Sequence, residues 1–146
     1  MKIAIASDHA GFEYKEELKL YLTEVGYDIS DFGCYDSASC DYPDFAIPLA
    51  KSVSRGEHQF GILICGSGIG MSIAANKVEG IRAANCCNVE MAKLARQHND
   101  ANILTFGARL IPFELAKEIA IAFINEKFEG NRHQRRIDKI HNLTGN

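Results

Sequence analysis

The chain has 146 residues, of which 47% are hydrophobic and 24% charged, and its formal net charge is −3. These proportions are typical of an ordinary globular protein, so we expect residues 1–146 to form a single domain. The overall negative charge argues against nucleic acid as a partner, and no run approaches the roughly 18 apolar residues of a membrane span, which argues against a membrane.

Short apolar runs alternate with amphipathic stretches along the chain. We predict strands at residues 2–6, 27–32, 60–65, 81–85 and 102–106. We predict helices at residues 11–25, 43–55, 69–77, 88–97, 112–127 and 131–142. Because parallel strands need crossovers between them, the alternation predicts an α/β fold, a Rossmann-like, three-layer α/β/α arrangement around a five-stranded parallel sheet. No strand follows the last helix, which we expect to be an extra C-terminal helix.

The cysteines and the N-terminus indicate a reducing compartment. Five cysteines form an odd, scattered set without a C-x-x-C pair, at positions 34, 40, 65, 86 and 87. Such a set predicts neither a disulfide framework nor a zinc site, and we interpret all of them except Cys65 as structural. The opening segment MKIAIASDHAG lacks the long apolar region and the cleavage site of a signal peptide, so we expect a cytoplasmic protein.

Chemically active side chains follow three of the predicted strands. The first strand ends in SDHAG, the third in CGSGIG and the fifth in GAR. In open parallel sheets, ligands gather outside the carboxyl ends of the strands. We therefore expect a carboxylate, an imidazole, a thiol, a hydroxyl and a guanidinium to share one edge. These groups belong to Asp8, His9, Cys65, Ser67 and Arg109.

The glycine-rich loop at 66–70 has three interpretations. Its glycines could let the backbone approach a dinucleotide diphosphate, but that fingerprint belongs at the first turn between strand and helix and calls for a later acidic residue. The loop could instead be only a tight turn beneath a helix. We favour an oxyanion site, in which the amides of residues 66–70 and the Ser67 hydroxyl stabilise negative charge that forms on a substrate. Gly66, Gly68 and Gly70 then belong to substrate binding.

Cys65 stands directly before this loop. A free cysteine often acts only as a small core hydrophobe. A strand end that leads into exposed amides and a helix N-terminus, however, favours a thiolate, which can act as a nucleophile or as a base. We therefore single out Cys65 as the reactive group.

Two histidines have settings that suggest a function. His9 follows Asp8 at a strand end, and His98 lies in the segment QHND, which we predict to be a polar loop between a helix and a strand. We predict no metal site, because no pair of His, Asp or Glu residues combines ligand spacing on one element with a third plausible partner.

The segment RHQRR at 132–136 is locally basic. Arg132 and Arg136 are four residues apart and so share one face of the predicted helix. Two guanidinium groups on one face suit a phosphate, and each charge-assisted hydrogen bond contributes about 1.5–3 kcal/mol. We interpret Arg135 as solvated.

Six segments in order resemble one known family: SDHAGFEYKEEL, DYPDFA, GILICGSGIGMSIAANK, GIRAA, ARQHNDANILTFGAR and EGNRHQRRI. On these segments the chain is similar to the ribose-5-phosphate isomerase B family, which is shared with galactose-6-phosphate and allose-6-phosphate isomerases. The resemblance runs from Ile3 to about Ile140. It implies an aldose-ketose isomerase of the pentose phosphate pathway, which interconverts ribose 5-phosphate and ribulose 5-phosphate through an enediolate.

The resemblance also implies roles for individual residues. Cys65 would take the proton from C2 of the open-chain sugar. The loop amides and Ser67, which stands where many relatives carry threonine, would hold the enediolate. Asp8 and His98 would open the sugar ring. The implied sugar-binding residues are Tyr42 and Asn99, and the implied phosphate-binding residues are His9, Arg109, Arg132 and Arg136.

Such an isomerisation requires a base, donors for an oxyanion and an anchor for the phosphate, and we expect neither a cofactor nor a metal. Three alternatives stay open: a nucleotide- or flavin-binding redox protein, a non-catalytic sugar-phosphate-binding subunit, and an isomerase of a six-carbon substrate, allose or galactose 6-phosphate. The intact Cys65 argues against the non-catalytic alternative. No residue that we can name measures the length of the sugar.

The order of the elements predicts that the implied site needs two subunits. Asp8, Cys65 and Arg109 follow strands, whereas His98 and Asn99 follow a returning helix and so lie at the opposite edge of the sheet. Because a strand of about five residues spans roughly 17 Å, one chain does not easily bring both sets to one sugar. We therefore predict a homodimer, or a dimer of dimers, in which His98 and Asn99 of one subunit complete the site of the other. Whether the C-terminal arginines act in their own subunit or in the partner stays open.

Overall fold

The computed structural model describes residues 1–146, and strands alternate with helices along the chain. The strands are β1 (Lys2–Ser7), β2 (Asp28–Asp31), β3 (Phe60–Cys65), β4 (Ala83–Asn85) and β5 (Ile103–Gly107). The helices are α1 (Phe12–Glu24), α2 (Pro43–Ser54), α3 (Ile69–Ala75), α4 (Val89–Asn99), α5 (Phe113–Asn125) and α6 (Arg132–Thr144). None of them combines the length and the apolar character that crossing a membrane requires.

The five strands form one parallel sheet in the order β2-β1-β3-β5-β4. Strand β3 lies at its centre, where Ser7 of β1 pairs with Ile64 and Gly107 of β5 pairs with Cys65. The carboxyl ends of these three strands therefore lie side by side. This arrangement confirms the predicted α/β fold.

Side chains alternate across the sheet and build a hydrophobic layer on each face. On one face, Ile62 and Ile64 of β3 pack with residues of α1, α4 and α5. On the other face, Leu63 and Cys65 pack with residues of α2 and α3. These are the three predicted layers, and the extra helix α6 packs against α4. The side chain of Cys65 consequently lies on the α3 side of the sheet.

Helix α4 is longer than predicted. Its start is fixed by Asn88, whose side-chain oxygen accepts a hydrogen bond from the Met91 N–H at 2.8 Å. Its end is at Asn99, because Asp100 adopts a left-handed conformation with φ 43°. The prediction that residues 97–100 form a loop is therefore wrong for His98, which lies in the last turn of the helix.

Strand β4 is shorter than the predicted 81–85. The N–H of Arg82 donates to the side-chain oxygen of Asn102 at 2.9 Å rather than to a neighbouring strand. The guanidinium of Arg82 in turn donates to the carbonyl oxygens of Asn99 and Asp100. These bonds tie the end of α4 to the segment that leads into β4, at the edge of the sheet where strands begin.

Candidate active site

A cavity of about 370 Å³ opens at the carboxyl edge of the sheet, where β1, β3 and β5 end. Its lining residues come from the loops after these strands and from the residue that precedes α2. They are Asp8, Tyr42, Cys65, Gly66, Ser67, Gly70, Arg109 and Leu110. The prediction that several reactive groups share one edge therefore holds for the side chains of Asp8, Cys65, Ser67 and Arg109.

Cys65 is the last residue of β3 and is only 5% exposed. The N–H of Gly68 donates a hydrogen bond to its sulfur at 3.1 Å. A backbone donor aimed at the sulfur stabilises the negative charge that remains when the thiol gives up its proton. The cavity is therefore lined by a thiol whose only hydrogen-bond partner within the protein is a donor.

The amides of the loop divide into two groups. Those of Gly68 and Ile69 are used within the loop, since Gly68 donates to Cys65 and Ile69 donates to the Ser67 hydroxyl oxygen at 3.2 Å. The amides of Gly66, Ser67 and Gly70 make no hydrogen bond within the protein. Three of the five amides in the predicted oxyanion site are therefore free to bind a substrate, rather than all of residues 66–70. Because the Ser67 oxygen accepts a bond, its hydroxyl hydrogen is free to donate into the cavity.

Gly68 makes the tight turn that the loop needs. Its φ is +80°, and a Cβ there would lie 2.3 Å from the side-chain oxygen of Asn85 and 2.7 Å from the backbone of Phe106. The Asn85 oxygen is also held by the Thr105 hydroxyl at 3.1 Å. Gly68 therefore fits the tight-turn interpretation, and the free amides belong to Gly66, Ser67 and Gly70. Sequence reasoning missed Asn85, since a lone Asn at the end of a strand carries no distinctive signal.

Tyr42, Asp8 and Arg109 close the walls of the cavity. A Cβ on Gly70 would lie 2.8 Å from the Tyr42 ring, so the ring packs directly over this part of the loop. Oδ1 of Asp8 accepts bonds from the N–H groups of Ala10 and Gly11 at 2.9 and 3.2 Å, which holds the carboxylate at the start of α1. The exposed Arg109 lies against Gly66 and makes no ion pair within the protein.

His9 does not contribute to this cavity, unlike the other predicted side chains at the strand ends. Its Nδ1 accepts a hydrogen bond from the Cys40 N–H at 3.3 Å, and the Cys40 sulfur lies 3.9 Å from the same nitrogen. The ring is therefore turned toward the loop that follows β2. Sequence order could not predict this, because the bond spans 31 residues.

The remaining cysteines have settings that differ from that of Cys65. Burial raises the pKa of Cys86 to about 12, so this thiol stays protonated in the core. Cys34 is also buried, and its sulfur contacts the Ser7 hydroxyl and the Asp36 carbonyl oxygen. Cys87 is exposed and lies against Met91. None of these three lines the cavity of Cys65.

At the opposite edge, His98 stacks on His133 with ring centroids 4.3 Å apart and planes 10° apart. Oε2 of Glu129 lies 3.9 Å from Nε2 of His98 and 3.6 Å from Nε2 of His133. His133 is 4% exposed, and its buried Nε2 has no hydrogen-bond partner. Burial, together with nearby positive charge from Arg132, lowers the pKa of His133.

This cluster is a group of potential metal ligands that the sequence analysis did not identify. Glu129 and His133 have i,i+4 spacing, and His98 supplies a third ligand atom within 4.8 Å. Sequence reasoning missed it because Glu129 lies in a loop before α6 and His98 is distant in sequence. We call His98, Glu129 and His133 the histidine cluster below.

Asn99 lines a different cavity, of about 480 Å³, between the start of β4 and α6. Arg82 and His141 line the same cavity. Arg132 and Arg136 are exposed on α6, as is Arg135, and none of the three forms an ion pair within the chain. Within one chain, therefore, the predicted ring-opening residue His98 and the predicted ligands Asn99, Arg132 and Arg136 do not line the cavity of Cys65.

The chain is similar to known sugar phosphate isomerases in sequence and in fold. The family model described as Ribose/Galactose Isomerase matches residues 3–140. The chain is 48% identical to ribose-5-phosphate isomerase B of Escherichia coli strain K12, over 95% of this chain and 93% of that protein. It is 44% identical to D-erythrulose-4-phosphate isomerase of Pectobacterium atrosepticum, over 96% and 93%. The solved structure of Clostridium thermocellum ribose-5-phosphate isomerase B superposes with a TM-score of 0.98 at 48% identity, over 99% and 98% of the two chains.

Proposed function

The chain belongs to the Ribose/Galactose Isomerase family, and we propose that it interconverts ribose 5-phosphate and ribulose 5-phosphate. The observation that carries the proposal is the thiol of Cys65 at a cavity whose wall also holds three free backbone amides and the Ser67 hydroxyl. A base beside donors for an oxyanion is what the transfer of a carbonyl from C1 to C2 requires. A cytoplasmic location suits this role and stays a prediction.

Cys65 acts as the base in this proposal. The thiolate removes the proton from C2 of the open-chain aldose, and the electron pair of that bond moves toward C1 as negative charge forms on O1. The free amides of Gly66, Ser67 and Gly70 and the hydroxyl of Ser67 stabilise this charge. A proton then passes from O2 to O1, and the thiol returns a proton to C1, which gives the ketose. The N–H of Gly68 donates a hydrogen bond to the sulfur beside the reacting carbons.

The far end of the sugar is anchored by positive charge. Arg109 is the guanidinium at the cavity wall and has no carboxylate partner in the chain, so it is available to a phosphate. Binding energy from a phosphate remote from the reacting carbons aligns C2 with the thiolate. Asp8, held by two backbone N–H groups at the same wall, is the candidate for proton transfer during ring opening.

The second half of the proposed site comes from a partner subunit. His98 and Asn99 lie at the end of α4, away from the Cys65 cavity of their own chain. Large apolar side chains are exposed on two helices, Ile69 and Ile73 on α3 and Met91 and Leu94 on α4. Exposed apolar side chains on α3, which begins at the glycine-rich loop, suit contact with a second copy of the chain, and this supports a homodimer. In such a pair, His98 and Asn99 of one subunit complete the site of the other.

Relatives of this chain differ in the number of carbons in the sugar phosphate that their names specify. A relative at 44% identity carries the name D-erythrulose-4-phosphate isomerase, so closely related chains differ in the sugar that they use. The six-carbon alternatives, allose 6-phosphate and galactose 6-phosphate, stay open. Tyr42, Arg109 and Leu110 have the longest side chains that line the cavity.

A coupled assay of the purified protein tests the proposal. We expect the highest kcat/KM with ribose 5-phosphate when it is compared with allose 6-phosphate, galactose 6-phosphate and D-erythrulose 4-phosphate at equal concentrations. Cys65→Ala protein serves as the control for contaminating isomerases. Faster turnover of a six-carbon or four-carbon phosphate would replace the proposed substrate, and turnover of none of them would refute the isomerase proposal.

A further inference from the structure

We propose that the histidine cluster is a binding site for a zinc-like divalent metal ion, and that occupancy of this site switches off the proposed isomerase by taking His98 out of proton transfer. The binding part depends only on the geometry of His98, Glu129 and His133. The inhibitory part rests on the proposed function.

The three potential ligand atoms already converge. Nε2 of His98 and Nε2 of His133 lie 3.9 and 3.6 Å from the same oxygen of Glu129, and all three atoms are within 4.8 Å of one another. In a tetrahedral zinc site with bonds of about 2.0–2.1 Å, ligand atoms are separated by roughly 3.3 Å. The ligand atoms are therefore close to the required spacing, and the site closes around an ion when the His98 ring turns out of its stack on His133.

An unsatisfied atom marks the same place independently. His133 is 4% exposed, yet its Nε2 has no hydrogen-bond partner. Leaving a buried polar atom unpaired costs about 1–3 kcal/mol, so such an atom calls for an explanation. Coordination of an ion would satisfy it with an imidazole nitrogen, a ligand that zinc prefers.

Hydrogen bonds hold the backbone around the histidine cluster, and the His98 side chain has room to rotate. The N–H of Glu129 donates to the Gln97 carbonyl oxygen at 3.0 Å, and the N–H of His133 donates to Gly130 at the same distance. The first bond ties the loop before α6 to the last turn of α4, and the second joins that loop to the start of α6. The side chain of His98 is 37% exposed, so its ring can leave the stack on His133 and direct its nitrogen to an ion.

The ligand set also predicts which ions bind. Two imidazoles and one carboxylate suit zinc and related transition metals, whereas magnesium and calcium prefer oxygen ligands alone. Three protein ligands leave the fourth position open, which is the arrangement of exchangeable rather than closed structural sites. Arg132 and Arg136 on the same helix oppose a cation, so we expect binding that a chelator readily reverses.

Zinc binding is measured first, by competition between the full-length protein and a chromogenic chelator. We expect one zinc ion per chain at this site, and at least about a tenfold loss of affinity in Glu129→Gln and in His133→Asn. Glu126→Gln is the matched control, because it removes the same charge from the same loop without touching the cluster. A Co²⁺ spectrum without thiolate-to-metal absorption excludes the five cysteines as the ligands.

Activity is measured second, at zinc concentrations that span the measured occupancy. We expect wild-type isomerase activity to fall in proportion to occupancy and to return with EDTA, while Glu129→Gln stays active at the same zinc concentration. Equal zinc affinity in the wild type, Glu129→Gln and His133→Asn would overturn the site. Occupancy without inhibition would overturn the switch. A protein without isomerase activity at any zinc concentration would refute the proposed function, and the chelator competition would still decide the site.

Discussion

At the carboxyl edge of the sheet, the candidate site combines side chains with free backbone amides, whereas at the opposite edge the candidate groups are side chains at helix ends. The thiol of Cys65 is buried and faces free amides whose positions are set by β3 and a tight turn at Gly68. His98 is partly exposed at the end of α4, and its neighbours come from a loop and from α6. The carboxyl edge holds the proposed base, and the opposite edge holds His98, which is proposed to act in ring opening.

The carboxyl edge and the opposite edge would therefore contribute differently to the proposed reaction. Free amides need no rearrangement to stabilise a developing charge, because the backbone already directs them. A half-exposed imidazole can exchange protons with solvent and with a sugar that arrives in its ring form. In the proposed reaction, chemistry at C1 and C2 depends on the carboxyl edge, and ring opening uses Asp8 of that edge together with His98 of the opposite edge.

The largest expected effect is at the thiol. Cys65→Ala should lower kcat by about 10²–10⁴-fold, the usual contribution of a general base, and should leave binding of a phosphate ligand nearly unchanged. Cys87→Ala, which removes the exposed thiol, should behave as the wild type. Steady-state kinetics check both variants, and iodoacetamide should inactivate the wild type less when substrate is present. If Cys65→Ala turns over substrate at a rate comparable to the wild type, a carboxylate and not Cys65 is the base.

Arg132 and Arg136 lie on α6, which packs against α4, and they are proposed to bind the phosphate of the sugar. Loss of charge-assisted bonds worth about 1.5–3 kcal/mol should raise KM by roughly 10- to 100-fold in Arg132→Ala or Arg136→Ala, with some loss of kcat. Arg135→Ala is the matched control on the same helix and should change little. Equal effects at all three positions would indicate general electrostatic attraction instead of a phosphate site.

The smallest effect tests the free hydroxyl at the first edge. Ser67→Ala removes one donor to the enediolate and should lower kcat by about tenfold, the equivalent of a single hydrogen bond of about 1–1.5 kcal/mol. Ser67→Thr keeps the hydroxyl and should keep most of the activity. If Ser67→Ala is as active as Ser67→Thr, the hydroxyl only caps the Ile69 amide, and the three free amides alone form the oxyanion site.

The first edge was largely predictable from the sequence, since polar residues after buried strands meet at one edge of a parallel sheet. That rule found Asp8, Cys65, Ser67 and Arg109. The sequence could not show which loop amides form hydrogen bonds within the protein. The bonds of Gly68 to the Cys65 sulfur and of Ile69 to the Ser67 hydroxyl depend on the turn that forms.

The second edge was less predictable. Helix α4 includes His98 because the residue that ends the helix is Asp100, in a left-handed conformation that no propensity assigns to a particular Asp. The histidine cluster joins residues from α4, a loop and α6, so it depends on how α6 docks. The turn of His9 toward Cys40 likewise depends on the path of a distant loop.

Cys65 of one subunit and His98 of its partner are proposed to serve one site, and mixed dimers test this sharing. Cys65→Ala and His98→Ala proteins are mixed in equal amounts, dissociated and re-associated, with exchange verified by differently tagged chains. Random pairing makes half of the dimers hybrids, and each hybrid has one site with both defects and one with neither. The account predicts recovery to about a quarter of wild-type activity, after the His98→Ala background is subtracted, by the symmetry of an isologous pair. No recovery after verified exchange would contradict it and would mean that both residues act within a single chain.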